Sequence, residues 1–490
     1  LAPTPVPSLA PTPDPAAVPF VPVVAFRSPV DTVGRRDLAA ALGTSGSADG
    51  TATEWTALEL IVEEADAILA ALGVERPADP RRLILAPDAE ALAADLSAHP
   101  DRLGFLRAAT VGPSMRAVGW GKRALFGNAR VRSLEAWPLR ASGLAPDPEP
   151  FDPATTWTMF AGGDMGVDRG MYKAVRILGK GVDFPFSGGT ARISGTTCCS
   201  QFGWELPTVV PTGNAGAMRR LISGADVAIA NLEGPVADRF SFHEHGTVFT
   251  GDPALLPGIV RAGIDVVTLA NNHIGDAGRT GVVQSVRNVK RAGLLHAGAG
   301  ANLAAARKPA WIETAGTRVA ILSYDAIAIG WYAATASSPG SAPLVERYVR
   351  ADIAAARKAG ADVIVVWPHW GVEYTRGPSG SQQRFGHLMI DAGADLVIGN
   401  HPHWAGAFEV YRGRPIWYAL GNFTFDQPWS EPTLQGITLE LTFRGATLVQ
   451  AWMHPHVNVL AVQPNLLDPA GSGRRVLDPV WKASAGLLPW

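Results

Sequence analysis

From about residue 157 onward one pattern recurs: a segment with helical periodicity, a turn holding Gly or Ala with Asp, and then an unbroken apolar run that ends in polar residues. PGIVRAGIDVVTLANNH (257–273), ADIAAARKAGADVIVVWPHWG (351–371) and HLMIDAGADLVIGNHPHW (387–404) all follow it. Runs of Val, Ile and Leu without alternation mark strands covered on both faces, which predicts an α/β region built on a largely parallel sheet. In open α/β sheets the ligand crevice lies outside the carboxyl ends of the strands, where these polar residues fall. Further on, GITLELTFRGATLVQAWMHPHVNV (436–459) alternates more and reads as antiparallel strands completing a sheet.

Residues 21–147 mix short apolar strands (VPVVAF, RLILAP) with helical patterns (WTALELIVEEADAILAALG, DAEALAADLSAHP), predicting a smaller N-terminal α/β domain without a cluster of His, Asp or Glu. A proline-rich stretch, LAPDPEPFDPATT (144–156), separates it from the larger domain expected over 155–460. Residues 1–20 repeat Pro, Ala and Thr with little to bury, the composition of an extended spacer. The tail 461–490 shows no clear period.

Composition narrows the function classes. The 490 residues are 47% hydrophobic and 18% charged, enough apolar material for two or three domains, and the net charge of −2 offers no field to attract nucleic acid. No apolar run reaches the ~20 residues needed to span a bilayer. With Leu at position 1 and a spacer behind it, the chain is expected outside the cell or in the envelope, secreted or anchored through a removed N-terminal segment. Only two cysteines occur, the adjacent Cys198 and Cys199, which excludes a disulfide framework and a four-thiolate zinc site; two unlinked thiols are expected, with a vicinal disulfide as the alternative.

Candidate chemistry sits at five strand ends: Asp164 in AGGDMGVDRG, Asn231 and Glu233 in AIANLEGP, Asn271, Asn272 and His273 in LANNHIGDAG, His369 and Glu373 in VWPHWGVEY, and His401 and His403 in GNHPHW. Carboxylates, carboxamides and neutral imidazoles form the ligand set of a divalent metal such as Mn, Fe or Zn. A two-metal site would clamp the attacking and leaving oxygens of a phosphoryl centre, and a nearby imidazole could protonate the leaving group. Each residue also has a purely structural alternative. Asp164 could cap a helix beginning at Val167, Glu233 and the Asn271–Asn272 pair could serve turns, and His369 could pack beside Trp370. Five polar endings on five buried strands favour a shared site.

The ordered motifs Gly163-Asp164, Asn231 to Pro235 (NLEGP), Ala270 to His273 (ANNH), His369 to Tyr374 (HWGVEY), His401 to His403 (HPH) and Leu420 to Phe423 (LGNF) resemble the CapA family of capsule and poly-γ-glutamate biosynthesis proteins over roughly residues 155–428. The resemblance implies a calcineurin-like metallophosphoesterase sandwich, two mixed sheets flanked by helices, with one or two divalent ions (Mn, Fe, Zn or Mg). By motif, it makes Asp164, Glu233, Asn272, His369, His401 and His403 metal ligands, with Glu233 bridging. His273 becomes the acid or phosphate-contacting group, and Arg169 the residue that holds an anionic substrate group bidentately. Asn231, Asn271, Glu373 and Asn422 are expected at the substrate. The implied partners are an anionic envelope polymer or another phosphorylated or carboxylate-bearing substrate, together with membrane synthase components.

Three departures qualify it. Met165 and Gly166 follow Asp164 where metallophosphoesterases read D-x-H, Asn400 replaces a histidine common in relatives, and an insertion over 179–213 falls between the first two motifs, placed to lid the site. The opening of the N-terminal domain is similar to periplasmic substrate-binding modules, and VLDPVW (476–481) is assigned to the same module, so that the tail would pack there. Two classes stay open: a metal-dependent hydrolase, and a noncatalytic surface protein that binds or guides an anionic polymer. Trp204, Trp331, Trp370, Trp404 and Trp429 fall near predicted loops; packing is the commoner role for such rings, and stacking on a sugar the alternative.

Overall fold

A computed structural model describes residues 17–44 and 55–487. The chain divides into two compact units, residues 1–154 and 155–490. Most of the expected spacer lies outside the described residues. Its end does not behave as a spacer, because the buried strand Val18–Ala25 already begins there; VPVVAF announces the second part of that strand, while Pro19 disguises its first residues.

In the first unit a six-stranded sheet runs in the order Leu83–Ala86, Ala57–Ile61, Arg102–Arg107, Val18–Ala25, Met115–Ala117, with Arg140–Ala141 also paired to Val18–Ala25. Ala57–Ile61 is parallel to both its neighbours, whereas Val18–Ala25 is antiparallel to Arg102–Arg107. The helix Ala89–Ala98 starts where Asp88 accepts a hydrogen bond from the Ala91 N–H (2.8 Å), and Ala65–Leu72 stops at Gly73, whose φ of 67° suits glycine.

The second unit carries two mixed sheets, of ten and six strands. In the larger, Thr156–Met165, Val227–Leu232, Val266–Thr268 and Leu295–Ala297 are successive parallel neighbours, and Gln435–Arg444 and Thr447–Val459 extend it antiparallel beyond Thr156–Met165. In the smaller, Thr317–Asp325, Val363–His369, Leu396–Ile398 and Arg414–Trp417 run parallel between antiparallel edges. Every residue of Thr156–Met165, Val227–Leu232 and Val363–His369 is buried, as unalternating apolar runs require. Helices Leu256–Ala262 and Gly278–Arg291 share a core with the first sheet through Ile259, Val282 and Val289. Glu346–Lys358 and Gly380–Asp391 do so with the second through Val349, Ile353 and Met389. This is the expected arrangement of two mixed sheets flanked by helices.

The insertion forms a hairpin, Thr190–Thr197 with Leu206–Gly213, at the edge of the larger sheet. Cys198 and Cys199 lie in its connection and are joined as a vicinal disulfide, a correction to the unlinked thiols expected. Adjacent side chains diverge along a strand, but these two lie beyond the strand's end, where the chain reverses. The aperiodic tail contains the helix Arg474–Ala483, which contacts Phe408–Tyr411, Gln435–Arg444 and Thr447–Val459 of the second unit. Pro479 inside it obscures the helical signal.

Candidate metal centre

Each candidate ligand, and His273 with them, stands at or just beyond the carboxyl end of a buried parallel strand, and both sheets contribute. Asp164 ends Thr156–Met165, Glu233 follows Val227–Leu232, and Asn272 and His273 follow Val266–Thr268. From the second sheet, His369 ends Val363–His369, and His401 and His403 follow Leu396–Ile398. The glycine before Asp164 has a steric reason. A Cβ on Gly163 would collide with the Gly421 carbonyl, which accepts the Asp164 N–H at 3.0 Å. The helix-cap alternative for Asp164 does not hold, since the nearby helix starts at Arg169 with Asp168 as its cap.

The strand ends converge. Ligand atoms of Asp164, Glu233 and His369 all lie within 4.8 Å of one another, and all three residues are buried. Asn272 Oδ1 is 2.8 Å from His369 Nε2. His403 Nδ1 lies 3.3 Å from Asp164 Oδ2 and 2.8 Å from Asn422 Oδ1, which turns its Nε2 toward Glu233 Oε1 at 3.7 Å. His401 stands beside them, its ring 4.9 Å from that of His369 and 6.1 Å from that of His403. The backbone is held in an unfavourable region to do this. His401 (φ 97°) and His403 (φ 58°) both have positive φ, a cost of about 1–3 kcal/mol each that surrounding structure must offset.

Whether these residues suit a cation is tested by Glu233. It is 2% exposed, and among the described residues no donor reaches either carboxylate oxygen. The Nε2 atoms of His273, His369 and His403 stand 3.9, 3.9 and 3.7 Å from Oε1, too far for hydrogen bonds. His369 Nδ1 and His401 Nδ1 are also buried without partners among the described residues. An isolated buried carboxylate costs several kcal/mol, and a divalent cation shared by these donors would satisfy them together. The donor set therefore fits a metal.

Electrostatics agree. Burial, then the Asp164 charge, pushes Glu233 well above the ordinary carboxylate range. Burial also acts to raise Asp164, but the hydrogen bond and charge of His403 prevail and hold it at about 2. Burial opposes a charge on His403, yet Glu233 and Asp164 push it up to about 9. Burial, then the neighbouring His401, carries His369 well below the usual imidazole range, and burial with His403 brings His401 down to about 3. His369 and His401 are thereby held as neutral imidazoles, the form that ligates, whereas His403 carries a proton between the two carboxylates that a bound cation would displace.

Several residues expected at the substrate are buried and hydrogen-bonded to the candidate ligand groups or to the turns that carry them. Asn231, 1% exposed, donates to Asp164 Oδ1 (2.7 Å) and accepts from the Thr268 hydroxyl. Asn271 bridges Leu232 O and the Gly234 N–H, fixing the turn that carries Glu233. Asn422 orients His403 while donating to Gln427 Oε1 and Thr433 O. Buried amides of this kind align the ligands, a role sequence cannot separate from substrate contact. Glu373 is exposed, and its charge bears on Glu233 and His403. Arg169 differs most from expectation. Its Nε donates to Asp426 Oδ1 (3.0 Å), Nη1 to Gly246 O (2.9 Å) and Nη2 to Asp426 O, so the bidentate fork is engaged within the protein.

Sequence reasoning passed over four positions. Asn400, noted only as a missing histidine, donates to Asp164 Oδ1 (2.8 Å) and accepts from the Trp367 indole (2.7 Å). Asp276 lies 2.9 Å from His273 Nδ1 and so points Nε2 into the site; its spacing three residues after His273 was the available signal. Asp168 receives the backbone N–H groups of Arg169, His243 and Thr250, and Asp426 occupies Arg169. Their partners lie up to 257 residues away in the chain, beyond any local pattern.

Comparison with known proteins adds a family. The model of the family described as bacterial capsule synthesis protein PGA_cap matches residues 158–427, more than half of the chain. The chain is 33% identical over 216 residues to the capsule biosynthesis protein CapA of Bacillus anthracis, covering 43% of this chain and 53% of that protein. It is 37% identical over 166 residues to the PGA biosynthesis protein CapA of Bacillus subtilis, covering 34% and 43%. The matches thus span about half the length of these curated relatives. Among solved structures, the calcineurin-like phosphoesterase YfkN of B. subtilis is similar at 12% identity and a TM-score of 0.32, over 67% of this chain and 97% of that one, a likeness too low to bear on function.

Proposed function

The chain belongs to the bacterial capsule synthesis protein family, and from that premise we propose that it acts at the cell envelope in capsule or poly-γ-glutamate biosynthesis, through a divalent-metal, phosphoesterase-like centre in its second unit. The observation that carries this reading is Glu233, a buried carboxylate whose oxygens lack donors among the described residues and stand near three imidazoles and Asp164. Asp164, Glu233, Asn272, His369, His401 and His403 would hold one or two ions, drawn from Mn, Fe, Zn and Mg. A bound divalent ion supplies charge stabilisation to a phosphoryl oxygen. The chain's own residues do the rest. Asp276 fixes the His273 ring so that Nε2 faces the site and can hand a proton to a leaving oxygen. Asn231, Asn400 and Asn422 keep Asp164 and His403 aligned. The substrate would be a phosphorylated or carboxylate-bearing group of an envelope polymer.

The test is metal analysis of the purified full chain, then hydrolysis of a generic aryl phosphodiester with added manganese. Bound metal with turnover that vanishes in Glu233→Gln is expected; a metal-free protein under those conditions would end the reading. A second reading, a noncatalytic protein that binds or guides an anionic polymer, draws on the engaged fork of Arg169 and on Gly166 where an imidazole is usual. Bound metal without any turnover would favour it.

A further inference from the structure

A cavity of about 1190 Å³ opens beside the metal centre, somewhat above the ~300–1,000 Å³ usual for small-molecule sites. Two features join it to the centre. Arg169 and Asp426 line both the cavity and the small space against Glu233, and Tyr374 lines the cavity while its ring lies 6.4 Å from that of His403.

The cavity's walls are aromatic and carry little free charge. Phe202 and Trp204, from the hairpin of the insertion, line one side and are 62% and 45% exposed. Phe202 meets Trp429 edge-on at 5.9 Å, and Trp204 lies 6.4 Å from Trp404. The lining arginine and lysine are already paired, Arg169 with Asp426 and Lys173 with Glu244 (2.8 Å). A polyanion would have to displace those carboxylates. One polar residue is unmatched. Asn458 lines the cavity, is 3% exposed, and among the described residues neither atom of its carboxamide has a hydrogen-bond partner. A hydrocarbon tail would leave that amide unsatisfied, whereas a group that both donates and accepts would not.

We propose that this cavity binds a neutral sugar ring, stacked on the tryptophans and paired through a hydroxyl or acetamido group with Asn458, as the part of the substrate adjoining the group that reaches the metal centre. A pyranose presents an apolar face of C–H bonds between polar edges, and that face packs against the apolar body of a tryptophan ring. Only the link to the metal centre rests on the reading proposed above. That link sharpens it: the substrate class becomes a glycosylated one.

The test titrates the full-length protein with N,N′-diacetylchitobiose, following tryptophan fluorescence and calorimetry. A γ-glutamyl oligomer and farnesyl phosphate serve as comparison ligands. Saturable binding of the disaccharide is expected, weakened about tenfold or more by Trp204→Ala and by Trp429→Ala. Asn458→Ala should weaken it as well, and Glu233→Gln should leave it intact. Trp204 is largely exposed, so its variant should keep the fold even if another fails. Absence of saturation with the disaccharide would overturn the proposal, as would tighter binding of either comparison ligand or indifference to Trp204→Ala. A protein that holds no metal yet binds the sugar would sink the metal-centre reading and leave this one standing; a metal-loaded protein that ignores the sugar would do the reverse.

Discussion

Each unit of the protein buries a glutamate that no donor reaches among the described residues, and the two are resolved in different ways. Glu59, fully buried in the interior strand Ala57–Ile61 of the first unit, interacts with Asp95 and Arg102; burial first, and then Asp95, pushes it up to about 8. At neutral pH it is a neutral acid that can share its proton with Asp95. Glu233 is equally deprived of donors, but three imidazole nitrogens and a second buried carboxylate surround it. A proton relieves the first site; at the second, where Glu233 is raised as well, enough ligating atoms gather for a cation to take the proton's place. On the proposed reading, an unpartnered buried carboxylate points to a metal where ligating neighbours converge on it.

The comparison can be broken most directly at Glu233. Glu233→Gln should abolish stoichiometric metal in the purified protein, by elemental analysis, without lowering thermal stability in chelator, while Glu59→Gln should leave metal content unchanged. If both retain metal, the centre lies elsewhere. His273→Ala should keep the metal but lower any phosphodiester turnover by about 10²–10⁴-fold, and unchanged turnover would remove its assigned role. Asn400→Ala and Asn422→Ala, which unfasten Asp164 and His403, should weaken metal affinity by about 10–100-fold in a competitive chelator titration. Equal affinity would mean that the ligands need no such support.

The smallest effect belongs to Glu59. Its folded value of about 8 lies above the ordinary 4.5, so the folded state keeps a proton that the unfolded chain releases. That contribution to stability is complete below about pH 4.5 and is lost as pH rises through about 8. Thermal scans of the full chain between pH 6 and 9 should show this decline, at about 2–4 °C per kcal/mol of linkage, and Glu59→Gln should remove that component. An unchanged pH profile in the variant would show that Glu59 is ionised in the fold.

Much of the larger unit was legible in the sequence because its signals are local. Unalternating runs such as VIVVWPH and the polar residues just past them announced buried parallel strands with a crevice at their ends, and the structure has both. Roles within the crevice were less legible. Asn231, Asn271 and Asn422 look from sequence like residues facing a ligand, yet at 1%, 0% and 0% exposure they are hydrogen-bonded to Asp164, the turn of Glu233 and His403. Trp370, at 1% exposure, is core, while Trp204 and Trp429 line a cavity, and nothing in their flanking residues distinguishes them. Helix Arg474–Ala483 went unread because Pro479 interrupts its signal.

What the sequence determined by itself was the set of elements, their buried faces, and the kinds of ligand atom at the strand ends, since each depends on spacing within a few residues. Tertiary structure alone decided that Asp164 and His403 lie within 3.3 Å across 239 positions of chain, that Asp426 takes the fork of Arg169, and that a hairpin from the insertion walls a cavity. Those outcomes follow from which strands become neighbours. Sheet pairing is fixed by the burial of whole surfaces, which no short stretch of residues specifies.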